Sequence, residues 1–137
     1  MTRYLADKSA LVQMRDAGVA SRVGPLILEG DIATCGVIEL EVLYSARSER
    51  DLVQVRAERR SAFPRVEMTE ADFERAEDVL AHLAKTGHHR AVSLPDLLIA
   101  AAAERAGLIV LHYDADYDVI ASATGQQVEW VAPRGSL

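Results

Sequence analysis

The stretch Leu108-Ile-Val-Leu-His-Tyr-Asp114-Ala-Asp116-Tyr-Asp118 decides the fold of this 137-residue chain. Its first half is a nearly unbroken apolar run, which follows a helical segment that ends at Gly107. A continuous apolar strand between helices is typical of a parallel sheet that is covered on both faces. The run then ends in aspartates at alternate positions, although carboxylates at the end of a buried strand are rarely needed for folding. The stretch therefore predicts a parallel sheet with a functional site at its edge.

Strand and helix patterns alternate along the rest of the chain. Short strands are predicted at 3–6, 31–34, 66–68, 108–113 and 128–131. With the helices between them, the order β-α-α-β-α-α-β-α-α-β-α-β predicts a three-layer α/β/α domain with a central, mainly parallel sheet of four to five strands. We expect one domain over residues 1–137, because this length suits a single hydrophobic core.

The composition predicts a cytoplasmic globular protein. Half of the residues are apolar and no low-complexity tract is present, which argues against disorder. No apolar run approaches the roughly 18–20 residues that span a bilayer. Charge interrupts the first eight residues before an apolar core can form, so we do not expect a secretory signal. The single cysteine, Cys35, excludes an internal disulfide and fits a reducing compartment.

The charge is unevenly distributed. The net charge is −6, yet the window from Arg47 to Arg65 holds six arginines against three acids. Arginine suits phosphate oxygens because its planar guanidinium can bind two of them at once. A charged helix predicted at 49–60 carries most of this window. A solvated face with pairing between residues four apart explains the same pattern, and the sequence leaves both interpretations open.

Acidic residues recur at the ends of the predicted elements. Asp7 follows the first strand, where a helix cap would also explain it. Asp96 lies in the first turn of a buried helix, where the helix dipole favours an acid. Glu39 and Glu41 lie on nearly opposite sides of the helix predicted at 36–46, so they cannot both join one site. That helix is apolar nearly all round, and its periodicity does not choose between the two glutamates. Asp7 and Asp114 each end a strand, where functional groups gather in parallel sheets.

These acids together predict a metal-dependent site. Several carboxylates brought close would repel one another unless a cation lay among them. An all-oxygen ligand set selects Mg²⁺ or Mn²⁺ rather than zinc. Such a site can activate water towards a phosphorus atom and stabilise the leaving oxygen. No serine-histidine-acid order, glycine-rich phosphate loop or CxxC motif offers an alternative chemistry.

Four stretches of the chain resemble PIN-domain ribonucleases of the VapC toxin type. They are Leu5-Ala-Asp7-Lys-Ser-Ala-Leu, Glu41-Val-Leu-Tyr-Ser, Ser93-Leu-Pro-Asp96-Leu-Leu-Ile-Ala-Ala and Val110-Leu-His-Tyr-Asp114-Ala-Asp116-Tyr-Asp118. The resemblance covers essentially the whole chain and implies a PIN-like fold. It implies that Asp7, Glu41, Asp96 and Asp114 are catalytic and bind one or two Mg²⁺ or Mn²⁺ ions, with Asp116 as a further ligand. It selects Glu41 over Glu39 and transfers no role to Asp118.

The same resemblance implies partners. Members of the family cleave RNA, bind a cognate VapB-like antitoxin whose C-terminal segment covers the acidic groove, and commonly form homodimers. Our first hypothesis is therefore a Mg²⁺-dependent endoribonuclease toxin in which Ser9, Arg56, Arg59 and Arg60 contact the substrate. A Mg²⁺-dependent phosphatase is the second hypothesis, although Ser9 stands where such enzymes place a second aspartate. The third is a non-catalytic module that binds a basic peptide in an acidic groove.

Overall fold

A parallel sheet runs through the centre of the protein, and the computed structural model describes all residues 1–137. The strands are β1 (Tyr4–Ala6), β2 (Ile32–Cys35), β3 (Arg65–Val66), β4 (Ile109–His112) and β5 (Val128–Trp130). The helices are α1 (Lys8–Leu11), α2 (Ala17–Leu28), α3 (Gly36–Tyr44), α4 (Glu49–Ala62), α5 (Glu70–Ala84), α6 (Leu94–Ala106) and α7 (Asp116–Thr124), with a 3₁₀ turn at Val12–Arg15. The predicted order of strands and helices is confirmed.

The sheet order brings the two aspartate-ending strands together. The five strands are arranged β3-β2-β1-β4-β5, and all neighbours are parallel. The chain builds outward from β1 to one edge and then returns to add β4 and β5 on the other side, so the order reverses between β1 and β4. Ala6 pairs with Leu111 in this register. The carboxyl ends of β1 and β4 therefore open into the crevice where parallel sheets bind their ligands.

Helices cover both faces of the sheet, which confirms the three layers. Consecutive strand residues point to opposite faces, so Leu5 joins the core beneath α3, α5, α6 and α7, and Ala6 joins the core beneath α1 and α2. Val110 and Leu111 divide between the same two cores. Burial on both faces explains why β4 is a continuous apolar run in the sequence. No helix has the length and apolar character needed to cross a membrane.

Local capping chemistry fixes the helix that carries Asp96. The Ser93 hydroxyl accepts the Asp96 backbone N–H at 3.3 Å, and Gly107 ends α6 with a φ of 70°, a backbone conformation that glycine adopts without strain. Both ends agree with the prediction. The predicted strand at 66–68 is shorter and begins one residue earlier in the structure, where β3 consists of Arg65 and Val66. Val66 pairs with Cys35, the last residue of β2, so the residues that follow have no strand partner.

Candidate active site

An acidic cleft lies at the carboxyl ends of β1 and β4. Its volume is about 290 Å³, and it is lined by Asp7, Lys8, Ser9, Val12, Glu41, Ser93, Asp96, Asp114 and Asp116. Five of these nine side chains are carboxylates, and Lys8 is the single basic residue among them. The acids come from four parts of the sequence, so the fold alone brings them together.

Asp7 occupies the first position after β1. Its backbone N–H donates to the carbonyl of Leu111 at 2.9 Å, which ties the end of β1 to β4. Its Oδ2 atom accepts the backbone N–H of Ser9 at 3.0 Å, so Asp7 caps α1 as well as lining the cleft. The residue is only 5% exposed. The cap and the site were alternative interpretations of Asp7, and the structure shows that the carboxylate that caps α1 also lines the cleft.

The two glutamates of α3 point to different surroundings. Glu39 forms an ion pair with Arg59, with 2.8 Å between Arg59 Nε and Glu39 Oε1, and also accepts a hydrogen bond from Thr34. Glu41 faces the cleft, where its Oε1 atom is buried without a hydrogen-bond partner. Burial raises the pKa of Glu41, and the negative charges of Asp7 and Asp114 raise this pKa further.

Asp96, Asp114 and Asp116 form the tightest part of the cluster. One ligand atom from each lies within 4.8 Å of the others. Asp114 Oδ1 accepts the backbone N–H of Asp116 at 2.9 Å, and Asp116 Oδ2 accepts that of Ser93 at 3.0 Å, which joins the start of α7 to the residue that caps α6. Burial raises the pKa of Asp96 to about 8, with further contributions from the adjacent Asp116 carboxylate and the charge of Asp7.

The donor atoms of this cleft fit a hard divalent cation. The cleft is lined by five carboxylates and by no cysteine or histidine, and an all-oxygen ligand set suits Mg²⁺ or Mn²⁺. Glu41 Oε1 is a buried acceptor without a donor, and burial together with the charges of neighbouring acids raises the pKa values of Glu41 and Asp96. A cation among them would remove both costs, because it supplies each oxygen with a positive partner.

Two aromatic residues beneath the acids were not identified from the sequence. The hydroxyl of Tyr117 lies 2.9 Å from Asp7 Oδ1 and 3.1 Å from Asp96 Oδ1. His112 is completely buried, and its Nδ1 atom accepts the backbone N–H of Asp114 at 3.2 Å. Burial lowers the pKa of His112, so the ring stays neutral and can act as this acceptor. Their positions could have identified them, because each places a polar group on a buried face of a strand or helix, where it needs a hydrogen-bond partner.

Two further residues singled out in the sequence lie in different settings. Ser9 lines the cleft, and its hydroxyl accepts the backbone N–H of Tyr113 at 2.9 Å. Asp118 lies outside the cleft and accepts a hydrogen bond from the indole N–H of Trp130 at 3.1 Å. The absence of a site role for Asp118 therefore agrees with its position.

The arginines of α4 differ from one another in their surroundings. Arg56 and Arg60 are exposed, whereas the Arg59 side chain is 11% exposed and its guanidinium is held by Glu39. Arg59 Nε and Nη2 donate to Glu39, which gives Arg59 a structural contact that the predicted substrate contact did not include.

Comparisons with known proteins agree with this geometry. A sequence model of the PIN domain matches residues 4–123. The chain belongs to the PIN domain family. It is 42% identical to Ribonuclease VapC21 of Mycobacterium tuberculosis over 135 residues, covering 98% of each chain. It is 41% identical to Ribonuclease VapC51 of the same organism, covering 98% of this chain and 97% of that one. The resemblance to VapC-type proteins is confirmed.

Solved structures of VapBC proteins have the same fold at low sequence identity. The DNA-bound VapBC of Salmonella typhimurium superposes with a TM-score of 0.77 at 19% identity, covering 96% of this chain and all of that one. VapBC-1 of Haemophilus influenzae gives a TM-score of 0.75 at 15% identity, covering 95% and 98%. The predicted PIN-like α/β/α architecture is thereby confirmed.

Proposed function

We propose that this PIN domain protein is a Mg²⁺-dependent endoribonuclease and the toxin of a type II toxin–antitoxin system. The proposal rests on the convergence of five carboxylates in one cleft. They belong to Asp7, Glu41, Asp96, Asp114 and Asp116. Identity of 41–42% over nearly the whole length to proteins named Ribonuclease VapC supports RNA as the substrate. We propose the cytoplasm as the place of action, because a single free cysteine fits a reducing compartment.

The carboxylates would hold Mg²⁺ or Mn²⁺ at the end of the sheet. Bound there, the ion would supply Lewis acidity to a water nucleophile and to the leaving oxygen of a phosphodiester. Asp96, Asp114 and Asp116 are the most closely spaced of the proposed ligands, and Asp7 and Glu41 line the same cleft. Because Glu41 and Asp96 have raised pKa values, metal binding would displace protons from them.

Lys8 offers a contact for the substrate phosphate. It is the only basic side chain that lines the cleft, and its Nζ atom donates to the hydroxyl of Ser45 at 2.5 Å. A cation at this position would attract the RNA backbone to a cleft whose own charge repels it. The exposed residues Arg56 and Arg60 would extend this attraction along α4, and Ser9 would position the backbone beside the acids.

Cleavage of RNA by the purified protein tests the proposal. We expect Mg²⁺ to support cleavage, chelation with EDTA to abolish it, and Asp7→Asn or Asp96→Asn to reduce it to near background. The matched control is Asp118→Asn, which removes an acid from the same segment but contacts Trp130 outside the cleft. Undiminished cleavage by the Asp7 or Asp96 variant would contradict the assignment. Turnover of p-nitrophenyl phosphate without RNA cleavage would favour a phosphatase, and absence of divalent-ion binding would favour an acidic-groove module.

A VapB-like antitoxin is the proposed protein partner. Several solved structures of the same fold are VapBC complexes by name. Beside the cleft, α3 and α4 expose apolar side chains, with Leu40 72%, Tyr44 93% and Val53 59% exposed. Large exposed apolar side chains on neighbouring helices favour a protein contact. We also propose a homodimer, as the family resemblance implies.

Co-expression with the product of an adjacent antitoxin-like gene tests the partner. We expect the two proteins to co-purify and RNA cleavage to be suppressed. Leu40→Glu should weaken the complex, because it places a charge in an apolar contact, while Glu74→Gln on the exposed surface of α5 should leave it unchanged. Equal binding of both variants would place the partner elsewhere. Light scattering of the free protein measures whether it is a dimer.

A further inference from the structure

Tyr117 lies directly beneath the acidic cleft. It belongs to the first turn of α7 and is completely buried within the core shared by the sheet and α6. Its ring lies 5.0 Å from that of His112, measured between centroids. Packing alone would be satisfied by phenylalanine, so the buried hydroxyl needs a separate explanation.

The hydroxyl is shared between two acids from distant parts of the chain. Asp7 Oδ1 lies 2.9 Å from it and Asp96 Oδ1 lies 3.1 Å from it. One acid ends a strand and the other begins a helix, so no local hydrogen bond fixes their separation. A hydroxyl has one hydrogen and can donate it to only one carboxylate at a time. The hydroxyl can therefore satisfy only one of these two Oδ1 atoms at a time, and a cation bound to both carboxylates would stabilise their close approach.

We propose that Tyr117 is a positioning residue whose hydroxyl sets the separation of the Asp7 and Asp96 carboxylates before a divalent ion binds. The inference rests on the proposed function, because it concerns the same cation site. Each carboxylate retains a second oxygen and unused lone pairs for the ion, so the hydrogen bonds to Tyr117 do not compete with ligation. Groups that hold ligands from outside the coordination sphere commonly change metal affinity by about 10- to 100-fold when they are removed.

The hydroxyl of Tyr113 provides a matched comparison. Tyr113 lies four residues earlier, and its hydroxyl accepts the backbone N–H of Leu137 at 3.0 Å, away from the acids. Tyr117→Phe and Tyr113→Phe therefore each remove one oxygen atom from the same segment and keep the ring. Because the ring packing is retained, we expect both variants to fold, and circular dichroism checks this.

Calorimetric titration of the protein with Mn²⁺, in the absence of RNA, tests the proposal. We expect Tyr117→Phe to bind Mn²⁺ about tenfold more weakly than the wild type, and Tyr113→Phe to bind it equally well. In RNA cleavage the Mg²⁺ concentration for half-maximal rate should rise by a similar factor, with much of the rate recovered at saturating Mg²⁺. If Tyr117 only packed in the core, saturating Mg²⁺ would not restore the rate of RNA cleavage in Tyr117→Phe.

The outcomes separate this inference from the proposed function. Unchanged Mn²⁺ affinity in a folded Tyr117→Phe protein would overturn the role of Tyr117 and leave the nuclease assignment intact. Absence of Mn²⁺ binding by the wild type would overturn the cation site, and the inference with it. Weakened Mn²⁺ binding by Tyr117→Phe without any RNA cleavage by the wild type would support Tyr117 as a positioning residue and contradict the nuclease.

Discussion

Glu41 is the acid whose surroundings in the cleft are least favourable for a negative charge in the metal-free protein. Its Oε1 atom is buried without a hydrogen-bond partner, and its pKa is raised by burial and by the charges of Asp7 and Asp114. A carboxylate kept in such a position lowers the stability of the metal-free protein. Sites that bind charged ligands commonly carry this kind of stored repulsion, and its removal should stabilise the fold while weakening function.

Glu41→Gln should therefore have opposite effects on stability and on activity. We expect the melting temperature of the metal-free protein to rise by a few degrees, because a negative charge leaves the cleft. The increase in melting temperature on adding Mg²⁺ should shrink, and RNA cleavage should fall by about 100-fold, equivalent to about 2.7 kcal/mol of transition-state stabilisation. Differential scanning fluorimetry and a cleavage assay measure the two effects. Glu74→Gln on the exposed face of α5 is the control, and destabilisation by Glu41→Gln would contradict the argument.

Asp96 should make the metal-free protein sensitive to pH. Burial raises its pKa from 3.8 to about 8, so the native state retains a proton that the unfolded chain has released. The native state binds more protons at Asp96 in this window, so the contribution of Asp96 to stability falls as the pH rises from about 4 towards about 8. Saturating Mg²⁺ should flatten this dependence, because the ion takes the place of the proton.

Denaturant titrations between about pH 7 and about pH 8 measure this dependence, since the acids of the surface ion pairs stay ionised there. Below that window the lowered pKa of buried His112 makes stability rise with pH and opposes the effect of Asp96. Asp96→Asn should reduce the slope of stability against pH, and Asp118→Asn should keep the slope of the wild type. An equal slope for Asp96→Asn would show that another group carries the pH dependence.

The site residues differ in how far the sequence could identify them. Asp7 and Asp114 could be predicted because each follows a strand whose apolar pattern is clear. Glu41 could not be chosen over Glu39 from periodicity, since α3 is apolar nearly all round, and the choice came from the motif resemblance. Tyr117 was missed because its partners are distant in sequence, and only the folded sheet brings the three side chains together.

At the scale of elements, α3 and α4 are joined by a partly buried ion pair. Arg59 donates to both oxygens of Glu39, at 2.8 Å and 2.9 Å, and its guanidinium lies 4.7 Å from the centre of the Phe63 ring. The two charged side chains are 11% and 12% exposed. The Glu39 carboxylate is shielded enough from water that the loss of Arg59 would leave it without adequate compensation.

Arg59→Ala should consequently destabilise the protein by about 3 kcal/mol, measured by urea denaturation. Arg56→Ala, three residues earlier on an exposed part of α4, should change the free energy of unfolding by less than about 0.5 kcal/mol. Equal stability of the two variants would contradict a structural role for Arg59. RNA affinity per folded molecule should be unaffected by Arg59→Ala.

The succession of elements was predictable because local signals mark their ends. Ser93 caps α6 and Gly107 ends it, and the Asp72 carboxylate accepts the backbone N–H of Thr69 at the start of α5, as local chemistry predicts. The position of Arg59 within α4 was not predictable in the same way. Six arginines of the window look alike in sequence, and only the packing of α4 on α3 shows which of them meets a buried acid.

At the scale of the whole molecule, the charge is divided between an acidic cleft and an arginine-rich helix. The net charge of −6 opposes RNA, so we expect long-range attraction to come mainly from the exposed arginines of the window. Arg56 and Arg60 are exposed, and α4 packs on α3, the helix that carries Glu41. A basic surface next to an acidic catalytic cleft would hold the RNA backbone while a metal ion neutralises the acids.

The double substitution Arg56→Ala with Arg60→Ala tests this division. Binding of a single-stranded RNA should weaken, and the slope of log affinity against log salt should become less steep by about 0.7 for each phosphate that is no longer neutralised, or about 1.4 in total. Fluorescence anisotropy in an Asp7→Asn background measures affinity without cleavage. The control is Lys85→Ala with Arg90→Ala, which removes two exposed charges from outside the window and should alter the slope less. Equal slopes for the two double variants would show that net charge alone, and not the arginines of α4, governs the encounter with RNA.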